Sequence, residues 1–252
     1  MPGGEDRDNG GGILLLSPGQ GKAQRLTADG KYPAWSPDGQ WIAYVRAGYE
    51  NLPESIWLIR ADGSDNPRMI AEGGYPQWLP DGRSLIYHSR QIHSLCLLML
   101  NDGTPSGKEK LFELVHGYPR LSPLGEELVF ILPSFVSFYF PSIINPTEYV
   151  MLITNLRKKS LRQWIFPFEA TYAGWSPDGK KIAFGKTSEP PGLYVIDAHL
   201  KSNPMLLVNG SWNRPAWSPD GRYIAYDTMK SGNLEIWILD YQRLIDEANS
   251  IN

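Results

Sequence analysis

Apolar and polar positions alternate with period two over short runs, and clusters of Gly, Pro, Asp and Ser separate the runs. Trp41–Arg46 reads WIAYVR and Ser55–Arg60 reads SIWLIR. Both combine alternation with β-branched and aromatic content, which predicts strands over helices. Similar runs stand at Arg68–Ala71, Leu95–Leu100, Tyr149–Thr154, Leu193–Asp197 and Leu234–Asp240. Pro37-Asp38-Gly39, between two such runs, is a tight-turn signal. Pro presets φ, Asp can bond its own backbone, and Gly takes positive φ.

The pattern repeats. It reads YPAWSPDGQWIAY from Tyr32, YPQWLPDGRSLIY from Tyr75, YPRLSPLGEELVF from Tyr118, YAGWSPDGKKIAF from Tyr172 and RPAWSPDGRYIAY from Arg214. The anchors Trp35, Trp78, Leu121, Trp175 and Trp217 stand 43, 43, 54 and 42 residues apart. That period matches the roughly 40–45 residues of a four-stranded propeller blade. The expected fold is therefore all-β, a β-propeller of five blades, with a six-bladed or incomplete ring as the alternative. Ile13–Leu16 stands at third-strand spacing, since Leu14 to Trp35 is 21 residues, as is Trp57 to Trp78. Ala23–Thr27 reads as a fourth strand, and the last unit ends near Tyr241 without one. Ala23–Thr27 would close the ring as that missing outer strand, because an open propeller exposes sheet edges. Ile13–Leu16 is then left over at an edge. The expected domain plan is a tail at 1–12, one propeller at 13–241 and a C-terminal tail at 242–252.

The string Pro-x-Trp-Ser-Pro-Asp-Gly-x-x-Ile-Ala-Tyr resembles the TolB-like repeat, also found in tricorn-type and prolyl-oligopeptidase-family propellers. It is matched most fully at Pro33–Tyr44 and Pro215–Tyr226, and less fully at Pro76–Tyr87. The third unit departs, with Leu121 for Trp and Leu124 for Asp, and the fourth lacks the proline. The resemblance implies a propeller over roughly residues 13–240. TolB proteins themselves are periplasmic, carry a second α/β domain and serve envelope integrity. The sequence reads as having neither that domain nor an export signal, so the resemblance implies the propeller and not the whole TolB biology. The compartment stays open: periplasmic if an export signal was removed, otherwise cytoplasmic.

Composition narrows the function classes. Gly numbers 25 and Pro 21, and aromatics are 12% of the chain, which suits a turn-rich all-β protein. The net charge of −3 argues against nucleic-acid binding by phosphate neutralisation. A single cysteine, Cys96, excludes an internal disulfide and a multi-cysteine zinc site. The apolar run Leu128–Ile144 is shorter than the roughly 20 residues of a spanning helix and holds Pro133 and Pro141. No transmembrane segment is expected.

Candidate catalysts are sparse. Asp38, Asp81, Asp178 and Asp220 share one turn slot, which argues for a common structural role. A glycosidase propeller needs two facing carboxylates near its axis. The residues before the anchors are Ala34, Gln77, Arg120, Gly174 and Ala216, none of them acidic. No nucleophile elbow occurs; Gly174-Trp175-Ser176 continues into Pro-Asp. His88, His93, His116 and His199 fit no zinc spacing. The expectation is no enzyme activity, no cofactor and no metal.

Binding is more legible. Tyr32, Tyr75, Tyr118, Tyr172 and Arg214 share one slot, three residues before each anchor. First strands line a propeller's channel, so these side chains either converge at its mouth or pack into blade interfaces. Tyr and Arg are enriched at binding hot spots, and the change to Arg214 would supply a positive charge for an anionic group. Arg120 stands on an inner strand. The long third unit adds Pro133–Pro146 with Phe138 and Tyr139, which would plug the mouth or offer an apolar patch. The reading is a monomeric, non-catalytic scaffold for a protein or peptide. Its alternatives are a gating propeller of a hydrolase and a carbohydrate-active propeller.

Overall fold

The Ser-Pro-Asp-Gly turn closes on its own side chains. Ser36 Oγ donates to Asp38 Oδ1 (2.5 Å), the Gln40 N–H donates to the same oxygen (3.0 Å), and the Trp41 N–H donates to Ser36 Oγ (2.9 Å). The same three bonds recur at Ser176, Asp178, Lys180 and Lys181. They recur again at Ser218, Asp220, Arg222 and Tyr223. In the second unit Leu79 replaces the serine, and Asp81 accepts from the N–H groups of Arg83 and Ser84 (2.8 Å each). The recurrent aspartates are therefore turn-forming groups.

These bonds hold the Asp38, Asp178 and Asp220 carboxyls below the ordinary carboxylate value, the serine hydroxyl being the largest cause at each. A depressed folded-state pKa stabilises the fold above the unfolded pKa, and that contribution fades as pH falls toward the folded value. Urea melts taken from about pH 5 downward should show stability falling. The triple variant Asp38→Asn, Asp178→Asn, Asp220→Asn should lose less over that interval; an identical acid limb would contradict the assignment.

A computed structural model describes residues 12–16, 23–48, 53–89, 91–113, 119–133, 149–158, 160–210, 214–228, 232–233 and 235–250. After a two-stranded pair, β1 (Leu14–Leu16) and β2 (Ala23–Arg25), come five antiparallel sheets. The first is β3 (Lys31–Trp35), β4 (Trp41–Arg46), β5 (Ser55–Arg60) and β6 (Arg68–Glu72). The second is β7 (Gly74–Trp78), β8 (Ser84–Ser89), β9 (Ser94–Asn101) and β10 (Thr104–Glu113). The third is β11 (Arg120–Leu121), β12 (Glu127–Pro133), β13 (Tyr149–Asn155) and β14 (Leu161–Phe166). The fourth is β15 (Ala170–Trp175), β16 (Lys181–Lys186), β17 (Gly192–Asp197) and β18 (Met205–Asn209). The fifth, β19 (Ala216–Trp217), β20 (Tyr223–Thr228) and β21 (Glu235–Asp240), has three strands among the described residues. These are the blades of a five-blade β-propeller. The chain divides into two compact units, Met1–Val115 and His116–Asn252.

Within each unit, one blade's third strand packs under the next blade's anchor and second strand. In the first unit Ile56 and Leu58 lie with Trp78, Leu85 and Tyr87. In the second, Met151 and Ile153 lie with Trp175, Ile182 and Phe184, and Leu193 and Val195 with Ile224 and Tyr226. The anchor adds a polar tie. Trp78 Nε1–H donates to the Ala34 carbonyl (3.1 Å), and Trp175 Nε1–H donates to the Arg120 carbonyl (3.0 Å). Each acceptor precedes the previous blade's anchor by one residue. Trp217 departs: its indole N–H is buried without an acceptor among the described residues.

Two expectations are corrected. Ala23–Thr27 was expected as the outer strand of the last blade, but β2 pairs with β1, Leu14 opposite Arg25. The reason is local: Ile13 is buried with Ile42, Tyr44 and Ile59, and its N–H donates to Thr27 Oγ1 (3.0 Å). Much of the expected C-terminal tail is a helix, α1 (Tyr241–Ser250). Asp240 Oδ1 caps it by accepting the Arg243 N–H (3.1 Å). The Tyr241 ring stands edge-on to Trp217 at 4.8 Å, and Leu244 packs on the same cluster.

Candidate functional site

The tyrosine slot sits on a break in each first strand. The β3–β4 ladder shifts register between Lys31 and Ala34, the β7–β8 ladder between Gly74 and Gln77, and the β15–β16 ladder between Thr171 and Gly174. Tyr32, Tyr75 and Tyr172 lie inside those shifts with φ of 52°, 56° and 45°. Left-handed backbone at a bulky residue costs on the order of 1–3 kcal/mol and persists where the surrounding structure holds it, active sites and ligand clamps among such places. The extra residue of a bulge re-aims a side chain off the strand's alternation. β3, β7 and β15 therefore begin earlier than the Pro-Ala-Trp-Ser motif suggested, while β11 and β19 do not.

In the first unit the slot residues meet: the Tyr32 and Tyr75 rings are 4.8 Å apart, and Tyr32 is 48% exposed. Lys31 Nζ stands 5.3 Å from the Tyr32 ring and pairs with Glu54 at 2.6 Å. In the second unit the Arg214 guanidinium lies over the Tyr172 ring at 4.8 Å. Arg214 is not the unpaired cation that its slot suggested. Its N–H donates to Asp227 Oδ1 (2.7 Å), and its Nε stands 3.6 Å from Asp227 Oδ2.

Arg120 is the freer charge. It is exposed on β11. Desolvation nonetheless holds its guanidinium below the ordinary arginine value, with Tyr172 acting in the opposite sense. Among the described residues no carboxylate stands within ion-pair distance of it. Arginine remains charged at all physiological pH, so this is an exposed cation available to an anionic group. The first unit has a cleft of about 150 Å³ between blade turns, lined by Asp38, Trp41, Trp78, Arg83 and Asp102; no slot residue lines it.

Tyr118, Phe138 and Tyr139 lie outside the described residues. The sequence reading missed Asp227, Lys31 and Glu54. Asp227 had a signal: it aligns with Val45, His88 and Gly185 in the second strands, and it occurs in the one unit whose slot is arginine. Among the described residues no cluster of three or more His, Cys, Asp or Glu could hold a metal ion, and no helix is long and apolar enough to cross a membrane.

No family model matches the chain. Over 66 residues, 25% of its length, it is 33% identical to Uncharacterized protein Atu1656 of Agrobacterium fabrum, of which the match covers 22%. Among solved structures it is similar to TolB of Acinetobacter baumannii (TM-score 0.68, 18% identity), covering 90% of this chain and 56% of that one. The propeller domain of the Trilobed protease of Pyrococcus furiosus, described as having an open velcro topology, matches at 0.64 with 17% identity. That match covers 90% of this chain and 72% of the other. An oligogalacturonate lyase in complex with manganese matches at 0.64 with 15% identity, covering 84% and 62%. The chain thus spans less than two thirds of the TolB and lyase chains, and at these identities the likeness is one of fold.

Proposed function

We propose that the protein is a non-catalytic TolB-like propeller that captures a protein or peptide, and that its second unit reads an acidic or C-terminal carboxylate. The observation that carries this is Arg120: an exposed guanidinium without a carboxylate partner among the described residues, on the first strand of the blade next to that of Tyr172. Tyr172, on a left-handed bulge, supplies a flat face already covered on one side by Arg214. An incoming carboxylate would gain a charged hydrogen bond from Arg120. Asp227 offsets much of the Arg214 charge and keeps that side chain over the ring. The likeness to TolB and to a protease's propeller domain supports a role in polypeptide capture.

The test is fluorescence anisotropy with labelled acidic peptides, each made with a free C-terminal carboxylate and as the amide. Arg120→Ala should weaken binding by about 1.5–3 kcal/mol, the scale of a hydrogen bond to a charged group. Arg214→Ala should cost less, and the loss should shrink as salt rises. Equal affinity of wild type and Arg120→Ala would refute the assignment. The likeness to the lyase favours a second reading, a carbohydrate-active propeller. That reading predicts cleavage of oligogalacturonate by the purified chain.

A further inference from the structure

The cleft of the first unit lies between the β3–β4 turn of one blade and the β7–β8 and β9–β10 turns of the next, with a volume of about 150 Å³. Buried Trp41, Trp78 and Leu100 make its apolar part. Trp41 is peculiar to this blade: Ser84, Glu127, Lys181 and Tyr223 hold its position in the other units. The cleft is held from both sides. Asp102 and Gly103 form the β9–β10 turn with φ of 45° and 70°, the two left-handed residues that a two-residue hairpin turn takes. A Cβ at Gly103 would collide with the Arg68 guanidinium and stand 3.0 Å from Trp41 Cη2, so this turn is pressed onto the neighbouring blade. Arg68 Nη2 also donates to the Asp102 carbonyl (3.0 Å), and Arg60 Nη2 stands 3.6 Å from Asp102 Oδ1. A site fixed this way loses little freedom on binding.

The polar lining is unspent. Asp38, Gln40 and Arg83 are exposed. Asp38 accepts both of its turn bonds on Oδ1, and among the described residues Oδ2 accepts none. Among the described residues the Gln40 amide makes no hydrogen bond and the Arg83 guanidinium no ion pair. An acceptor, a donor and a group that is both therefore stand around one apolar floor. The charges nearby balance, with Asp38, Asp65 and Asp102 against Arg60, Arg68 and Arg83. Balance favours a neutral ligand over an anion or a cation. A sugar hydroxyl both donates and accepts, and a pyranose ring presents C–H surface between its hydroxyls, which suits mixed polar groups over an apolar floor. The volume is below the roughly 300–1,000 Å³ of pockets that enclose a whole drug-sized ligand, so the cleft takes one ring.

We propose that this cleft binds a single neutral pyranose ring, free or at the end of a saccharide. Arg83 donates to the ring hydroxyls, Asp38 Oδ2 accepts from one, and Gln40 does either. The C–H surface of the ring lies against Trp41, Trp78 and Leu100. The site does not rest on Arg120, and it holds the sugar without cleaving it.

The test is saturation-transfer NMR of the full chain with glucose, galactose and N-acetylglucosamine, against glucuronate and glucosamine as charged counterparts. Saturable transfer to at least one neutral sugar is expected, at higher affinity than either charged one. The double variant Gln40→Ala, Arg83→Ala should weaken it by at least about tenfold, the scale of a hydrogen bond from a charged group. Its melting temperature should stay close to wild type, because both side chains are exposed and neither is bonded within the fold among the described residues. Arg120→Ala should leave sugar binding unchanged, which separates this site from the peptide site. Absence of saturable transfer to any neutral sugar, preference for glucuronate or glucosamine, unchanged affinity in the double variant, or loss of affinity in Arg120→Ala would overturn the proposal.

Discussion

Replacing Trp78 by alanine should cost about 3–5 kcal/mol of stability, whereas the same change at Trp35 should cost far less. The two residues hold the same repeat position and differ in what covers them. Trp78 is 8% exposed, packed with Ile56, Leu58, Leu85 and Tyr87, and its indole donates to the Ala34 carbonyl. Truncation leaves a cavity between two blades and a carbonyl without its donor. Trp35 is 49% exposed, so alanine there opens no enclosed void. Urea unfolding of both variants checks the difference. Equal losses would show that the anchor acts within its own strand and not across the blade interface.

Gly73→Ala should be about as damaging, on the order of 3 kcal/mol or more, because the new methyl has no room and the backbone cannot yield. Gly73 joins β6 to β7 at φ 143°, and its N–H donates to the Glu54 carbonyl (2.8 Å). A Cβ there would stand 2.3 Å from the His88 carbonyl oxygen and 2.9 Å from the Tyr87 ring. Relief would require moving β8 against the core. Gly39 is the control: φ is 69°, but nothing lies within 4 Å of its Cβ position. Gly39→Ala should cost only the left-handed penalty of roughly 1–2 kcal/mol. Comparable melting temperatures for the two variants would contradict the steric account.

Second and third strands were legible almost to the residue. WIAYVR and SIWLIR carry the near-continuous apolar, β-branched and aromatic run that a strand buried on both faces needs, and β4 and β5 begin and end where that run does. The turns were legible because Ser, Pro, Asp and Gly each have one local task there. First strands were not. A bulge that places Tyr32 or Tyr172 in the left-handed region leaves no mark in period-two reading, since aromatic residues seldom adopt it. The C-terminal helix was hidden because its cap, Asp240, also ends a strand, and its apolar contacts Tyr241 and Leu244 are with Trp217 in another element. In the candidate site the slot itself was visible by aligning units. The partnership of Arg214 with Asp227 was written in the same alignment, as two departures in one unit, but it becomes physical only when strand pairing brings β20 beside that slot. Arg120 was visible as an inner-strand cation. Its lack of a carboxylate partner among the described residues is a property of the folded neighbourhood and has no signature in spacing.

The proposed capture without turnover rests on Arg120. Native mass spectrometry of the chain with a mixture of acidic peptides reads both halves at once, since it reports which species is retained and at what mass. Intact peptides with free carboxylates should be retained on the wild-type chain and lost from Arg120→Ala. Cleaved peptide masses, or equal retention by the two proteins, would contradict it.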